Sequence, residues 1–451
     1  MKKILLGGTA AFGLLIASVA MSQDVAPAPE APAEPVSTAA KLTISGSTSF
    51  HMSLFQQDNN TAGGTATGGP DTANGVVPSG KGQGYNFSQD DSSLDFTFVG
   101  KTEGGLDYKG RINFTGQTGS SLVENNYSAR NRVRQNYVEL GFNGAVIQGG
   151  NLWGTDTTAI NDGSAVMRGD GGFGSNWSSR FNEPFRAAGS TGNMIYGAYM
   201  AGGSNTATKV TVMTPTVMGL HAAASFTPNT AHSGDVYQNN AANPLGNQVS
   251  FNDVAGTVSG SYPTAYFDQN HQAYSLGFSD QFGEVNVSVS AATLLSAQTK
   301  ASLPGNPAYE KTKGSMIGTV LSYGEFQVGA GYYDNQKTGV LSTDAAAGRD
   351  GGKVFDAAVG WSSGPVALSV GYLNGERNIG TNASNGVAGG GKAKANVYSL
   401  TADLRLADGL TIYGDLNYAD MKDDAITDSV DGTAKSQNKG TVFLLGTRVN
   451  F

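Results

Sequence analysis

The sequence has no cysteine, and only 14% of its 451 residues are charged. Without Cys there is no disulfide framework, no Cys-ligated zinc or iron–sulfur centre and no thiol nucleophile. An ordinary soluble domain carries about 25% charged residues and about 7% glycine; here charge is sparse and glycine abundant, at 64 residues. The bases are few and scattered, 28 Lys+Arg against 36 Asp+Glu, so no nucleic-acid partner is expected. Histidine is scarce too, at four. His51 sits among serines, but no Asp is placed to orient it, and Ser is ordinary filler for a polar face, so an enzyme is not expected. Past residue 22 no run of about 20 apolar residues occurs, which excludes a transmembrane helix there. Phe, Tyr, Val and Leu recur to the end, against disorder along most of the chain.

Residues 1–22 read as a signal peptide. Lys2 and Lys3 precede an apolar stretch, and Ser18-Val19-Ala20 or Ala20-Met21-Ser22 supplies the small residues of a cleavage site. Residues 23–40, QDVAPAPEAPAEPVSTAA, form a Pro/Ala-rich periplasmic linker that has nothing to pack a core with. Residues 41–451 form the remaining unit.

In that unit the dominant period is two. Leu42, Ile44, Phe50, Met52 and Leu54 alternate with Thr43, Ser45, Ser49, His51 and Ser53. Leu106, Tyr108, Ile112 and Phe114 alternate with Asp107, Lys109, Arg111 and Asn113, and Tyr398 to Leu406 repeats the pattern. Such alternation makes strands with one apolar and one polar face. Strands are predicted to begin near residues 41, 91, 105, 130, 145, 208, 219, 272, 284, 314, 325, 353, 365, 396, 409 and 440. Residues 193–200, NMIYGAYM, would add a seventeenth, but they break the alternation of connections and are assigned to a loop.

The connections separate a soluble sandwich from a membrane barrel. Seven are tight and contain glycine: Glu103-Gly104-Gly105, Asn143-Gly144, Met218-Gly219, Phe282-Gly283-Glu284, Tyr323-Gly324-Glu325, Ser363-Gly364-Pro365 and Asp408-Gly409. They alternate with long polar segments. This asymmetry is that of an all-β, 16-stranded antiparallel transmembrane β-barrel with short periplasmic turns and long external loops. Aromatics at both strand ends, such as Phe98, Phe142, Tyr323, Phe326 and Trp361 near the turns and Phe50, Phe114, Tyr332, Tyr372 and Tyr418 near the loops, suit two interfacial girdles.

With apolar residues facing lipid, the polar set lines a lumen too wide to be filled by side chains. The longest connection, roughly residues 153–207, carries its own aromatics and is expected to fold inward as a constriction loop. Its acids, Asp156, Asp162, Asp170 and Glu183, are the expected acidic side of the pore. The expected basic wall is Lys109, Arg111, Arg130, Arg132 and Arg134, with Asp95 an acid on the same wall. An arginine facing lipid near midplane costs about 2–4 kcal/mol, which favours the lumen for these arginines, Arg134 foremost. Yet Val138, Leu140 and Phe142 share their parity. A bulge could switch the face, the apolar residues could lie inward near the turn, or Arg130 and Arg132 could stand above the hydrocarbon against lipopolysaccharide or a neighbouring subunit.

The chain resembles the general diffusion porins of Gram-negative outer membranes, especially the alphaproteobacterial type. The likeness rests on TKVTVMTPTVMGLHAAASF (residues 208–226), on Arg134-Gln135-Asn136-Tyr137-Val138-Glu139-Leu140, on Val146 to Gly150 and on the closing FLLGTRVNF (443–451). Two positions depart from the pattern: Glu139 replaces a usual Gly, and Gly150 stands where an Arg is common. The resemblance implies a homotrimer of water-filled barrels for passive diffusion of ions and small hydrophilic solutes, in contact with outer-membrane lipid and lipopolysaccharide. It also implies that Phe443, Leu445, Val449 and Phe451 form the signal read by the outer-membrane assembly machinery.

A substrate-selective channel is the main alternative, with only Tyr333 and Tyr413 as inward aromatic candidates. An adhesin or calcium-binding repeat protein is another, but GDGGFG (169–174) occurs once where tandem copies are needed. Asp-Gly pairs offer oxygens of the kind that hold a loop-bound Ca²⁺; no other cofactor is expected.

Overall fold

The computed structural model describes residues 40–58, 83–89, 92–116, 131–158, 160–181, 184–186, 189–190, 197, 200, 203, 206–230, 266–301, 309–380, 390–428 and 436–451. Residues 1–39, where the signal peptide and the linker up to Ala40 are expected, lie outside the described residues, as do Arg130, Glu183 and most of 193–200.

Among the described residues, sixteen strands follow one another around a closed antiparallel barrel: β1 (Lys41–Gln57), β2 (Ser92–Lys101), β3 (Asp107–Gly116), β4 (Asn131–Phe142), β5 (Ala145–Asn151), β6 (Thr208–Met213), β7 (Leu220–Asn229), β8 (Tyr266–Phe282), β9 (Val285–Leu295), β10 (Lys313–Tyr323), β11 (Phe326–Asp334), β12 (Lys353–Ser363), β13 (Val366–Asn378), β14 (Lys392–Ala407), β15 (Leu410–Asp423) and β16 (Gln437–Asn450). Each pairs with its neighbours in sequence. β16 closes on β1, from Ser47 opposite Asn450 to Gln57 opposite Gly440. Two short strands extend the sheet: Gln83–Gln89 lies on the outer half of β1 in line with β2, and Gln298–Ala301 lies on the start of β8 in line with β9. Neither shows a sustained alternation in the sequence.

The starts of β8 and β14 fall at residues 266 and 392, earlier than alternation predicts. In β14 the reason is visible. Lys392 and Lys394 at its outer end both pair with Glu376, so this part of the strand stands in a polar layer where apolar outward residues are not required.

Burial follows the period of two. In β14 Ala393, Ala395, Val397, Ser399 and Thr401 are buried, while Tyr398, Leu400 and Leu404 are exposed. The outward set is a continuous apolar surface including Ile44, Leu276, Ile317, Val359 and Val370. A water-soluble monomer does not carry an apolar belt of this extent, whereas lipid requires it. Aromatics cluster at its two rims. Phe326 is registered against both Tyr323 and Trp361 beside the turns, and the rings of Tyr372, Tyr398 and Tyr418 succeed one another at 5.0 and 6.2 Å towards the loops.

Positive φ accounts for the glycines at the tight turns. Gly283, Gly324 and Gly364 have φ of 64°, 55° and 56° at the first position of two-residue turns, where only glycine is unstrained. In two turns both residues are left-handed: Asn143-Gly144 (50°, 80°) and Met218-Gly219 (49°, 79°). Asn suits that conformation and Met does not. Met218 is 89% exposed. Met218→Asn is therefore expected to stabilise the barrel by about 0.5–1 kcal/mol, read as a higher temperature of the heat-dependent mobility shift in detergent gels; a lower temperature contradicts the turn assignment.

Candidate functional site

The connection between β5 and β6 enters the barrel, and its described stretch from Leu152 to Phe181 runs along the inner wall. Lys209 on β6 ties its two ends, donating to the carbonyls of Leu152 and, at 2.8 Å, Ala207. Thr155 N–H donates to Ser225 on β7 (3.1 Å) and Asn161 N–H to Ser290 on β9 (2.9 Å). Gly163 N–H then meets Asp356 on β12 (2.6 Å), and Arg168 N–H meets Ser369 on β13 (2.8 Å). Gly169 N–H reaches Asp403 on β14 (3.0 Å); Asp170 and Gly172 N–H reach the two oxygens of Asp415 on β15 (2.9 and 3.1 Å). Finally Gln57 on β1 donates to the Arg180 carbonyl (3.3 Å). Loop amides thus find wall hydroxyls and carboxylates in succession. Charge-assisted bonds of this kind are the stronger ones, and they leave few loop donors unsatisfied beside the wall.

Small wall residues make room for this path. A Cβ at Gly360 would lie 2.9 Å from Val166, one at Gly331 would lie 2.7 Å from Asp162, and one at Gly371 would lie 2.8 Å from Phe173. Gly318 and Gly329 are tighter still against the carbonyls of Asn161 and Asp162. Into this track the loop sets Val166, Phe173, Trp177 and Phe181, all buried. The Trp177 ring meets Phe181 edge-on at 5.8 Å, and its N–H donates to the Phe173 carbonyl at 3.1 Å. Burial of each such side chain contributes about 1.5–3 kcal/mol.

The loop's short helical turns touch β7, β8, β9, β11 to β16 and β1. Among the described residues no comparable contact is made with β2 to β5, where Asn113, Gln135 and Tyr137 are buried and Asp95, Lys109, Arg111 and Glu139 keep part of their exposure. Register fixes which side chains face inward there. Gln57, on the loop side of β1, shares parity with Ser45, and Ser45, Asp95, Asn113 and Gln135 are successive cross-strand partners. On this arc Arg111 donates to Asp95 (2.7 Å) and Gln135 (2.8 Å), and Asn113 to the other Asp95 oxygen (2.8 Å). Lys109 lies 3.8 Å from Glu139, which also accepts from Gln148 at 2.7 Å.

The structure places Lys109, Arg111 and Asp95 on this inner arc. It corrects the expectation for Arg134. β4 carries a bulge opposite Asn113/Phe114 that inserts Arg134 as an extra residue. Gln135 and Tyr137 (8% exposed) turn inward, while Arg134 stays with Val138 (58%) and Leu140 (43%) on the outside, its guanidinium over the Trp153 ring at 4.9 Å. The bulge exists, but it falls at the arginine and so does not bring it inside. Arg130 and the side chain of Arg132 lie outside the described residues.

The loop acids are also corrected. Asp156 and Asp162 are buried between loop and wall and do not face open water. Asp162 accepts from Ala165 N–H (3.2 Å), Ser164 and the Tyr333 hydroxyl. Burial pushes the Asp156 carboxyl above the usual carboxylate range, against the opposing pull of His271 and Lys209. Asp170 accepts from Asn176 N–H at 3.1 Å and stands 3.7 Å from Arg448. All three hold the loop; Glu183 lies outside the described residues.

Gly150, where the related pattern carries arginine, has φ of 135°, and a Cβ there would lie 2.8 Å from the Tyr137 backbone. No side chain fits without moving β4. The three wall acids Asp356, Asp403 and Asp415 were missed as loop anchors. Their inward parity is readable, but their partners are backbone amides, which have no sequence signature. Leu445, Val449 and Phe451 point outward on β16, and the Phe451 backbone pairs with Gly46 in both directions. Among the described residues no group of three or more His, Asp or Glu is arranged to hold a metal ion.

A family model described as Gram-negative porin matches residues 8–424. Uncharacterized proteins of Rickettsia felis and Rickettsia prowazekii are each 24% identical, over 266 and 272 residues, with 54% of this chain and 57% of theirs covered. The match thus spans little more than half the length of these relatives. An anion-selective porin from Comamonas acidovorans has a similar fold, with TM-score 0.52 at 13% identity over 92% of this chain and 100% of that one. A closed sixteen-stranded barrel with an apolar exterior, a polar interior and a loop folded onto its inner wall agrees with the match of the family model along most of the sequence: the chain is an outer-membrane β-barrel and belongs to the Gram-negative porin family.

Proposed function

We propose that the protein is a water-filled channel for passive diffusion of ions and small hydrophilic solutes, narrowed by the loop of roughly residues 153–207. The observation that carries this reading is the course of residues 152–181 along one side of the inner wall, while Asp95, Lys109, Arg111 and Glu139 on the arc β2 to β5 keep part of their exposure. A sixteen-stranded barrel has room for such an aqueous path, and its width at the loop sets what passes. The purified protein in a planar lipid bilayer is expected to give large, stepwise, long-lived currents. Folded, heat-modifiable protein that gives none overturns the reading.

The working unit in this reading is a homotrimer. β5 and β6 have seven and six residues, fewer than the 9–11 a tilted strand needs to span the hydrocarbon. Outward Arg134 and Asn136 lie on the adjacent β4. A side that is both short and polar is better covered by another copy than by lipid, so currents are expected in groups of three. The outward aromatic and aliphatic residues of β16 are the part offered to the assembly machinery, and the outer rim is the part offered to lipopolysaccharide.

A further inference from the structure

Resting on that channel reading, we propose that the pore is nearly indifferent to the sign of an ion, and that Asp95 and Glu139 are the residues that make it so. Among the described side chains, each base on this arc has its own acid. Arg111 lies 2.7 Å from Asp95, and Lys109 lies 3.8 Å from Glu139. None of the four is fully withdrawn from water: their side chains keep 34%, 15%, 34% and 22% of their exposure in that order.

On the opposite bank the bases Arg168 and Arg448 stand with the acids Asp403 and Asp170, while the wall acids Asp356 and Asp415 are buried beneath loop amides. Asp156 and Asp162 are buried under the loop. Arg168 is committed to Gln327 at 2.6 Å. Arg448 is committed to Asp170 (3.7 Å), to the Gly169 carbonyl (3.2 Å) and to the Tyr413 ring at 4.9 Å. Arg134, the base that would tip the balance, is on the outside, and Gly150 offers no position for another.

Paired charges a few ångströms apart present only a dipole to an ion in the pore. Its field fades well inside the Debye length of about 10 Å at 0.1 M salt. Among the described residues neither bank therefore carries a surplus, and the lumen lacks an acid side facing a basic side. The solute class this suits is the uncharged hydrophilic molecule, with cations and anions passing on similar terms.

The test is the reversal potential in a KCl gradient across a planar bilayer. The wild-type permeability ratio of K⁺ to Cl⁻ is expected within about twofold of one. Asp95→Asn with Glu139→Gln leaves Arg111 and Lys109 uncompensated and is expected to move the ratio at least about threefold towards Cl⁻. Arg111→Gln with Lys109→Gln is expected to move it towards K⁺ by a similar factor. Exchanging one pair, Lys109→Glu with Glu139→Lys, keeps the balance and is expected to leave the ratio unchanged, which separates charge from altered packing. Heat-dependent mobility in detergent gels checks that each variant is folded. Strong selectivity of either sign in the wild type overturns the inference, as does an unchanged ratio in the Asp95/Glu139 variant. Complete absence of current overturns the channel reading itself, and the inference with it.

Discussion

Trp177→Ala combined with Phe173→Ala is expected to raise single-channel conductance about twofold and to add noise, while the barrel stays folded. Both rings are buried, Phe173 against the track at Gly371 and Trp177 against Phe181. Truncating a buried aromatic to alanine costs about 3–5 kcal/mol. Against that loss the loop keeps bonds such as those from Gly163, Gly169 and Asp170 to wall carboxylates, each a net contribution of about 1.5–3 kcal/mol. The two truncations together remove about 6–10 kcal/mol, more than the total of about 3–6 kcal/mol from the two bonds of Asp170 and Gly172 to Asp415, so the segment around residues 170–181 is expected to leave the wall. The barrel ladder does not depend on them, so heat-dependent mobility is expected to be unchanged. Quiet currents of wild-type size would show that the loop is held by its hydrogen bonds alone.

Removing residues 443–451 is expected to abolish the barrel altogether. This segment carries most of the pairing of β16 with both β1 and β15. Its loss leaves two open edges in hydrocarbon, where each unsatisfied backbone group costs several kcal/mol. No residual ladder replaces it, because only the six residues 437–442 of β16 remain. Expression of the shortened chain is expected to yield no heat-modifiable species in the outer membrane. Recovery of a folded, membrane-inserted barrel from it contradicts the closure described here.

The strands were legible because lipid on one side and water on the other enforce a period of two, as Tyr398 to Leu406 show. The turns were legible because positive φ demands glycine or a residue like Asn143. What failed did so for local reasons. Arg134 is expected inside because an arginine facing lipid is costly, yet it keeps the outward parity of Val138 and Leu140 and rests its guanidinium on the Trp153 ring, a partner that the sequence does not reveal. Asp156 and Asp162 were placed at an open constriction because the sequence shows that a loop is acidic but not which face it turns to the wall. The glycine track, Gly318, Gly329, Gly331, Gly360 and Gly371, lay in view as alternating glycines. Its meaning emerges only when Val166, Asp162 and Phe173 are seated on it. The accessory strand Gln83–Gln89 offers only Tyr85 and Phe87 as outward apolar residues, too few for a period to declare itself.

The pore's constriction depends on the loop lying against the wall, and the absence of native cysteine makes this directly measurable. Val166 lies 2.9 Å from where a Cβ at residue 360 would stand, a separation that brings two cysteines at these positions within bonding reach. In the double variant Val166→Cys with Gly360→Cys, mass spectrometry of the folded, oxidised protein is expected to show the two residues joined by a disulfide within one chain. Two free thiols, both open to a maleimide in the folded barrel, would place the loop away from the wall and contradict the account.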